Sequence, residues 1–177
     1  MQLFDNVKNP KAILLATDKI DEKDALIFND SGFVVVAGYP AESTGFFEKT
    51  KELISAAKDS RANYDNLPVL LLGVDKGALL AQHMIQVAGH EFFTTVLFNP
   101  TYITGLGMYK LWYINKSHGL AGIPKNKKIK IFATGANAKD ADLLFNRYLE
   151  HALKNIEIKI DDDKTSVSDW VGEMAVE

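Results

Sequence analysis

The sequence predicts an α/β fold, a three-layer αβα sandwich built on about six mostly parallel strands, and three observations carry that reading. Short β-branched or aliphatic runs alternate with segments of helical periodicity along most of the chain. Several of those runs show no polar alternation, the mark of a strand covered on both faces. Most connections are short, as expected where helices join neighbouring parallel strands.

Taken in order, a short polar opening leads to Lys11–Thr17, a buried strand. Asp18–Asp30 follows with helical periodicity, Asp21 as its cap and Ala25, Leu26 and Phe28 on its apolar side. Ser31-Gly32 stops it, and Phe33–Ala37 is a β-branched strand ended by Gly38-Tyr39-Pro40. Ser43 or Thr44 caps a long helix with Phe46, Phe47, Leu53, Ile54 and Ala57 on one stripe. After a polar loop at 63–66 comes the stretch that organises the rest: Leu67-Pro68-Val69-Leu70-Leu71-Leu72 runs into Gly73-Val74-Asp75-Lys76-Gly77. A helix apolar almost all round then extends to Ala88.

Phe92–Phe98 is the fourth strand. Residues 101–128 form the least regular part, with Tyr102, Tyr109, Trp112, Tyr113, His118 and a lysine-rich close. The close is expected to be a solvated loop. Ile129–Thr134 is the fifth strand, and a helix striped with Ala141, Leu144, Phe145, Tyr148, Leu149 and Ala152 follows it. Ile156–Ile160 alternates, as a half-exposed edge strand does. Val167, Trp170, Val171 and Met174 recur at helical spacing at the end. With no repeat or low-complexity tract, residues 1–177 read as one domain.

Composition narrows the function classes. Hydrophobic content of 47% and charged content of 24% are ordinary for a globular protein. A net charge of −3 gives no electrostatic reason to expect nucleic acid or a membrane surface as partner. No apolar run is long enough to span a bilayer, and residues 1–7 lack the pattern of a signal peptide. The absence of cysteine excludes disulfides and thiolate chemistry and fits a cytoplasmic location. No Gly-x-Gly-x-x-Gly follows the first strand, no Gly-Lys-Ser/Thr exists, and Asp161-Asp162-Asp163 lacks the glycine and glutamate of a calcium loop. No cofactor and no metal are therefore expected. The expected partner is a small apolar ligand or a protein, and oligomeric state is left open.

The Gly-x-Asp-x-Gly spacing after a buried strand is that of a nucleophile elbow, in which a strained residue tops a sharp strand-to-helix turn. With the order of elements, this motif resembles the α/β-hydrolase superfamily, above all its small capless esterases and dienelactone-hydrolase-like members. The segment NDSGFVVVAGYP is similar to their glycine–aromatic–valine run ending in tyrosine-proline. The resemblance covers about residues 11–165 and implies a minimal version lacking the family's first two strands. It puts Asp75 in the nucleophile position. The Lys76 amide becomes one oxyanion donor, and the amide of Thr17 or Asp18 the second. Asn137, Asp140 and Asp142 stand where a triad acid belongs, with Asp140 carried forward. Tyr39 and Tyr102 are binding candidates.

The chain departs from that pattern in two places. Ala16-Thr17-Asp18-Lys19 replaces the usual flexible His-Gly pair, and no histidine follows His151. In relatives with an aspartate at the elbow, the carboxylate forms an ester and a histidine activates the water that hydrolyses it. General-base help of this kind contributes about 10²–10⁴-fold. Aspartate attack on an acyl carbon would instead give an anhydride. His83 lies in an apolar helix, His90 at the opposite end of the sheet and His151 on a peripheral helix, so His118 is the one candidate base.

The leading expectation is thus a relative that is catalytically impaired or that binds a small ligand or a protein. The alternatives are an active hydrolase acting through Asp75 on a small ester or haloalkane, and a flavodoxin-like binding domain with a coincidental elbow. A plainer reading of the motif is a polar residue at a helix start, with Lys76 pairing Asp75 in solvent for about 0–1 kcal/mol.

Overall fold

The computed structural model describes residues 1–38, 46–101, 120 and 122–174. Seven strands, β1 (Gln2–Phe4), β2 (Ala12–Ala16), β3 (Phe33–Ala37), β4 (Val69–Val74), β5 (Thr94–Phe98), β6 (Lys128–Ala133) and β7 (Asn155–Ile160), form one sheet in the order β1-β3-β2-β4-β5-β6-β7. All neighbours pair in parallel except β1, which runs antiparallel to β3. The helices are α1 (Glu22–Asp30), α2 (Phe46–Asn63), α3 (Gly77–Ala88) and α4 (Ala138–Glu150).

The aliphatic strands form because both faces are covered, and their alternate side chains feed two cores. Ile13, Leu15, Val34, Val36, Leu71 and Ile131 face a cluster with Leu53, Ala57, Leu80, Met84 and Tyr148, the side of α2, α3 and α4. Leu14, Val35, Leu70, Leu72, Val96 and Phe132 face Ala25, Phe28, Val167, Trp170 and Met174, the side of α1 and the C-terminal segment. The result is the expected three-layer sandwich. Across the first cluster, the buried Tyr148 hydroxyl donates to Gln82 Oε1 at 2.9 Å and ties α4 to α3.

Three details differ from the sequence reading. The polar opening contains a strand: β1 pairs Leu3 with Val36, and the Asn29 side chain donates to the Phe4 and Phe33 carbonyls, joining β1 to the end of α1. A strand therefore precedes β2, where the resemblance implied none. The C-terminal segment Val167–Met174 is a 3-10 helix. Its Trp170 stacks on Phe132, with centroids 4.5 Å apart and planes within 9°. Leu26 is 58% exposed, so α1 buries Ala25 and Phe28 while Leu26 faces outward. Asp21 caps α1 as expected, accepting from the Lys23 amide at 2.9 Å. Among the described residues, no helix is long and apolar enough to cross a membrane. The expected caps Ser43 and Thr44 lie outside the described residues.

β4 and α3 make the closest approach in the fold that bears on function. A Cβ on Gly73 would lie 2.7 Å from Ala78 Cα and 2.8 Å from Ala81 Cβ, distances that real contacts do not reach. Gly73→Ala is accordingly expected to cost about 1–3 kcal/mol through overpacking, read from the midpoint of urea unfolding. Trp170→Ala should cost about 3–5 kcal/mol in the same measurement, because it empties a fully buried site between α1 and β6.

Candidate functional site

The strand order reverses beside β2: the chain steps outward to β3, then returns to place β4 on the other side of β2. In open α/β sheets, the carboxyl ends of strands flanking such a switch point form a crevice where ligands bind. Here those ends carry Thr17 and Asp18 after β2, and Asp75 after β4.

Asp75 has φ of 49°, in the left-handed region that costs a side-chain-bearing residue energy and that aspartate tolerates better than most. Its neighbours hold it there. The Asp75 amide donates to the Phe98 carbonyl at 2.9 Å, and the Asp75 carbonyl accepts from the amides of Ala78 at 3.2 Å and Thr101 at 3.3 Å. From the β2 side, buried Thr17 donates its hydroxyl to the Gly77 carbonyl at 3.1 Å. A Cβ on Gly77 would lie 2.6 Å from that hydroxyl oxygen. The turn is therefore a strained elbow with an exposed tip, as the Gly-x-Asp-x-Gly spacing predicts. The relaxed turn that a coincidental, flavodoxin-like elbow would require is not what is found.

The electrostatics are unusual for a catalytic elbow. Partial desolvation, and then the negative charge of Asp18, raise the Asp75 carboxyl above the ordinary aspartate value. Lys76 is exposed and, among the described residues, makes no ion pair with Asp75, so the expected solvent pairing does not form. The expected role for the Thr17 amide also fails: it donates to the Leu72 carbonyl at 2.9 Å, extending the β2–β4 ladder. The Asp18 amide remains as the second donor candidate, but its own side chain brings a carboxylate beside the tip.

The other candidates are dispersed. Asp140 is nearly buried in the first turn of α4, after β6, and β5 separates β6 from β4. Strand spacing alone sets those strands about 10 Å apart. Asn137 turns back on Thr134, donating to its hydroxyl at 3.5 Å. Where the resemblance puts a histidine, Asp162 accepts a hydrogen bond from the Gly135 amide at 2.6 Å and ties the turn after β7 to that after β6. His83 is buried in α3 against the ring of Phe47, and burial lowers its pKa. It lies six residues into α3, about 9 Å along the axis. His90 and His151 sit at the other end of the strands, His90 just before β5 and His151 with its carbonyl held by Lys125, just before β6. Tyr39, Tyr102, Tyr109, Trp112, Tyr113 and His118 lie outside the described residues.

Two features escaped the sequence reading. Asn99, at φ of 45° after β5, accepts from the Thr134 amide at 2.9 Å and locks the rim of β5 to that of β6. Asn-Pro at a strand end was the available signal, since asparagine is favoured at positive φ. Asp18 was considered for its amide alone; only the strand order reveals its carboxylate as the partner of Asp75.

No family model matches the chain, and no curated protein matches it in sequence. Solved structures do. A thermostable carboxyl esterase from Bacillus coagulans superposes with a TM-score of 0.69 at 12% identity, covering 97% of this chain and 89% of its own. Est1E from Butyrivibrio proteoclasticus gives 0.69 at 12%, covering 97% and 90%. A dienelactone hydrolase from Anabaena variabilis gives 0.68 at 10%, covering 97% and 86%. This chain has the α/β-hydrolase fold, in the form shared with esterases and dienelactone hydrolase.

Proposed function

We propose that this protein is a catalytically impaired relative of the esterase and dienelactone hydrolase type that binds a small molecule above the elbow, at the switch point between β2 and β4. The observation that carries this reading is the pairing of Asp75 with Asp18 at a strained elbow. Acyl transfer develops negative charge on an oxygen beside the nucleophile, and the site must supply donors and positive potential there. A second carboxylate supplies the opposite. The chain segment after β7, where a base would be carried, offers Asp162 to a backbone amide and contains no imidazole. The retained glycines and the strained tip preserve the geometry of the elbow without the means to turn an ester over.

The rival reading, an active hydrolase of small esters or haloalkanes working through Asp75, draws its support from the same left-handed tip and uses His118 as base. A panel of chromogenic esters and haloalkanes separates the two. We expect no multiple turnover, and rates in the wild type and Asp75→Asn that do not differ from background. Turnover abolished by Asp75→Asn would establish the rival.

The electrostatics give an independent prediction. Because the folded-state pKa of Asp75 is raised, its ionisation favours the unfolded chain. The penalty is absent below the ordinary value of 3.8 and grows as pH rises through the raised one. Asparagine is tolerated at the same φ, so Asp75→Asn should melt above wild type at neutral pH and converge with it in acid. A wild type as stable as Asp75→Asn at neutral pH would show that the Asp75 carboxyl is not raised by its surroundings.

A further inference from the structure

The second feature of interest lies at the opposite end of the sheet. Pro68 and Val69 at the start of β4, Phe92 and Phe93 before β5, and Asn126–Lys128 before β6 surround a cleft of about 570 Å³. That volume falls in the range of small-molecule sites. Its lining carries three basic side chains, Arg61, Lys127 and Lys128, against one carboxylate, Glu91, in a chain whose net charge is −3.

The charges are arranged, not scattered. Glu91, with its side chain only 10% exposed, receives Arg61 Nη1 at 3.1 Å, Lys58 Nζ at 3.5 Å and His90 Nε2 at 3.2 Å. One carboxylate thus gathers the cations of Arg61 and Lys58 and cannot neutralise both. Lys127 is buried to 8% exposure, and its ammonium donates to the carbonyls of Gly89 and Phe92. Among the described residues no carboxylate pairs with it. An ammonium has three donors and these carbonyls accept two, while its positive charge stays uncompensated in a poorly solvated wall. Burial without a counter-ion lowers its pKa. An anion entering the cleft would supply the missing charge, with the guanidinium of Arg61 offering further N–H groups beside it.

We propose that this cleft binds a small organic oxyanion, its charged group held by Arg61, Lys127 and Lys128 and its apolar body against Pro68 and Phe93. The site is independent of the elbow, which lies at the far ends of the same strands.

Phenyl phosphate titrated into the full-length chain, followed by calorimetry and by amide chemical shifts, should saturate at one site, with shifts centred on residues 89–93 and 126–128. Inorganic phosphate, which lacks the apolar body, should bind more weakly, and phenol not at all. Arg61→Gln and Lys128→Gln should each weaken phenyl phosphate by about tenfold, as the loss of one charge-assisted contact implies. Lys127→Met should weaken it further; if that variant fails to fold, the other two decide. Asp75→Asn should leave binding unchanged, so failure here is distinct from failure of the reading of the elbow. A response that never saturates, binding that survives both Arg61→Gln and Lys128→Gln, or shifts mapping to the elbow would overturn the proposal.

Discussion

The close approach of β4 and α3 is the constraint on which the rest of the candidate site depends. Gly73 lets strand and helix meet at a distance that leaves no room for a Cβ, Gly77 does the same against Thr17 after β2, and between them Asp75 adopts a left-handed backbone. Such a conformation costs about 1–3 kcal/mol and persists only where its surroundings impose it. Here they do so from both sides, through the Phe98 carbonyl on β5 and the Thr17 hydroxyl after β2. The tip residue is consequently presented at the switch point of the sheet whatever its side chain can do chemically.

What stands at that tip decides the chemistry. Asp18 brings a second carboxylate to the elbow and, after partial desolvation, raises the Asp75 carboxyl further. The rims of β6 and β7 are closed by their own hydrogen bonds, Asn99 to Thr134 and Asp162 to Gly135. Polar side chains there serve backbone amides.

The elbow and the basic cleft lie at opposite ends of the sheet: Asp18 and Asp75 on the carboxyl-terminal rim, beside Lys19 and Lys76, and Arg61, Lys127 and Lys128 around Glu91 on the amino-terminal rim. Parallel strands make such segregation easy, because every strand starts on one rim and ends on the other.

The layered α/β architecture, the elbow and the lack of a histidine after β7 were legible in the chain, because they rest on local signals: aliphatic runs covered on both faces, two glycines at fixed spacing, and residue identity. β1 was hidden because three residues of edge strand have too little periodicity to stand out, and its partner β3 and the Asn29 side chain supply the order. The 3-10 form of Val167–Met174 and the stacking of its Trp170 on Phe132 were likewise not legible, since helical spacing does not separate a 3-10 helix from an α-helix. Lys127 reads as one more lysine in a solvated loop, yet packing buries it onto two carbonyls. Asp18 and Asp75, far apart in sequence, become neighbours only because β4 inserts beside β2. Sequence determined which backbone turns this protein makes, because those follow from nearby residues. Tertiary structure alone decided which charges meet and which are stripped of water, because strand order and burial are properties of the whole packed sheet.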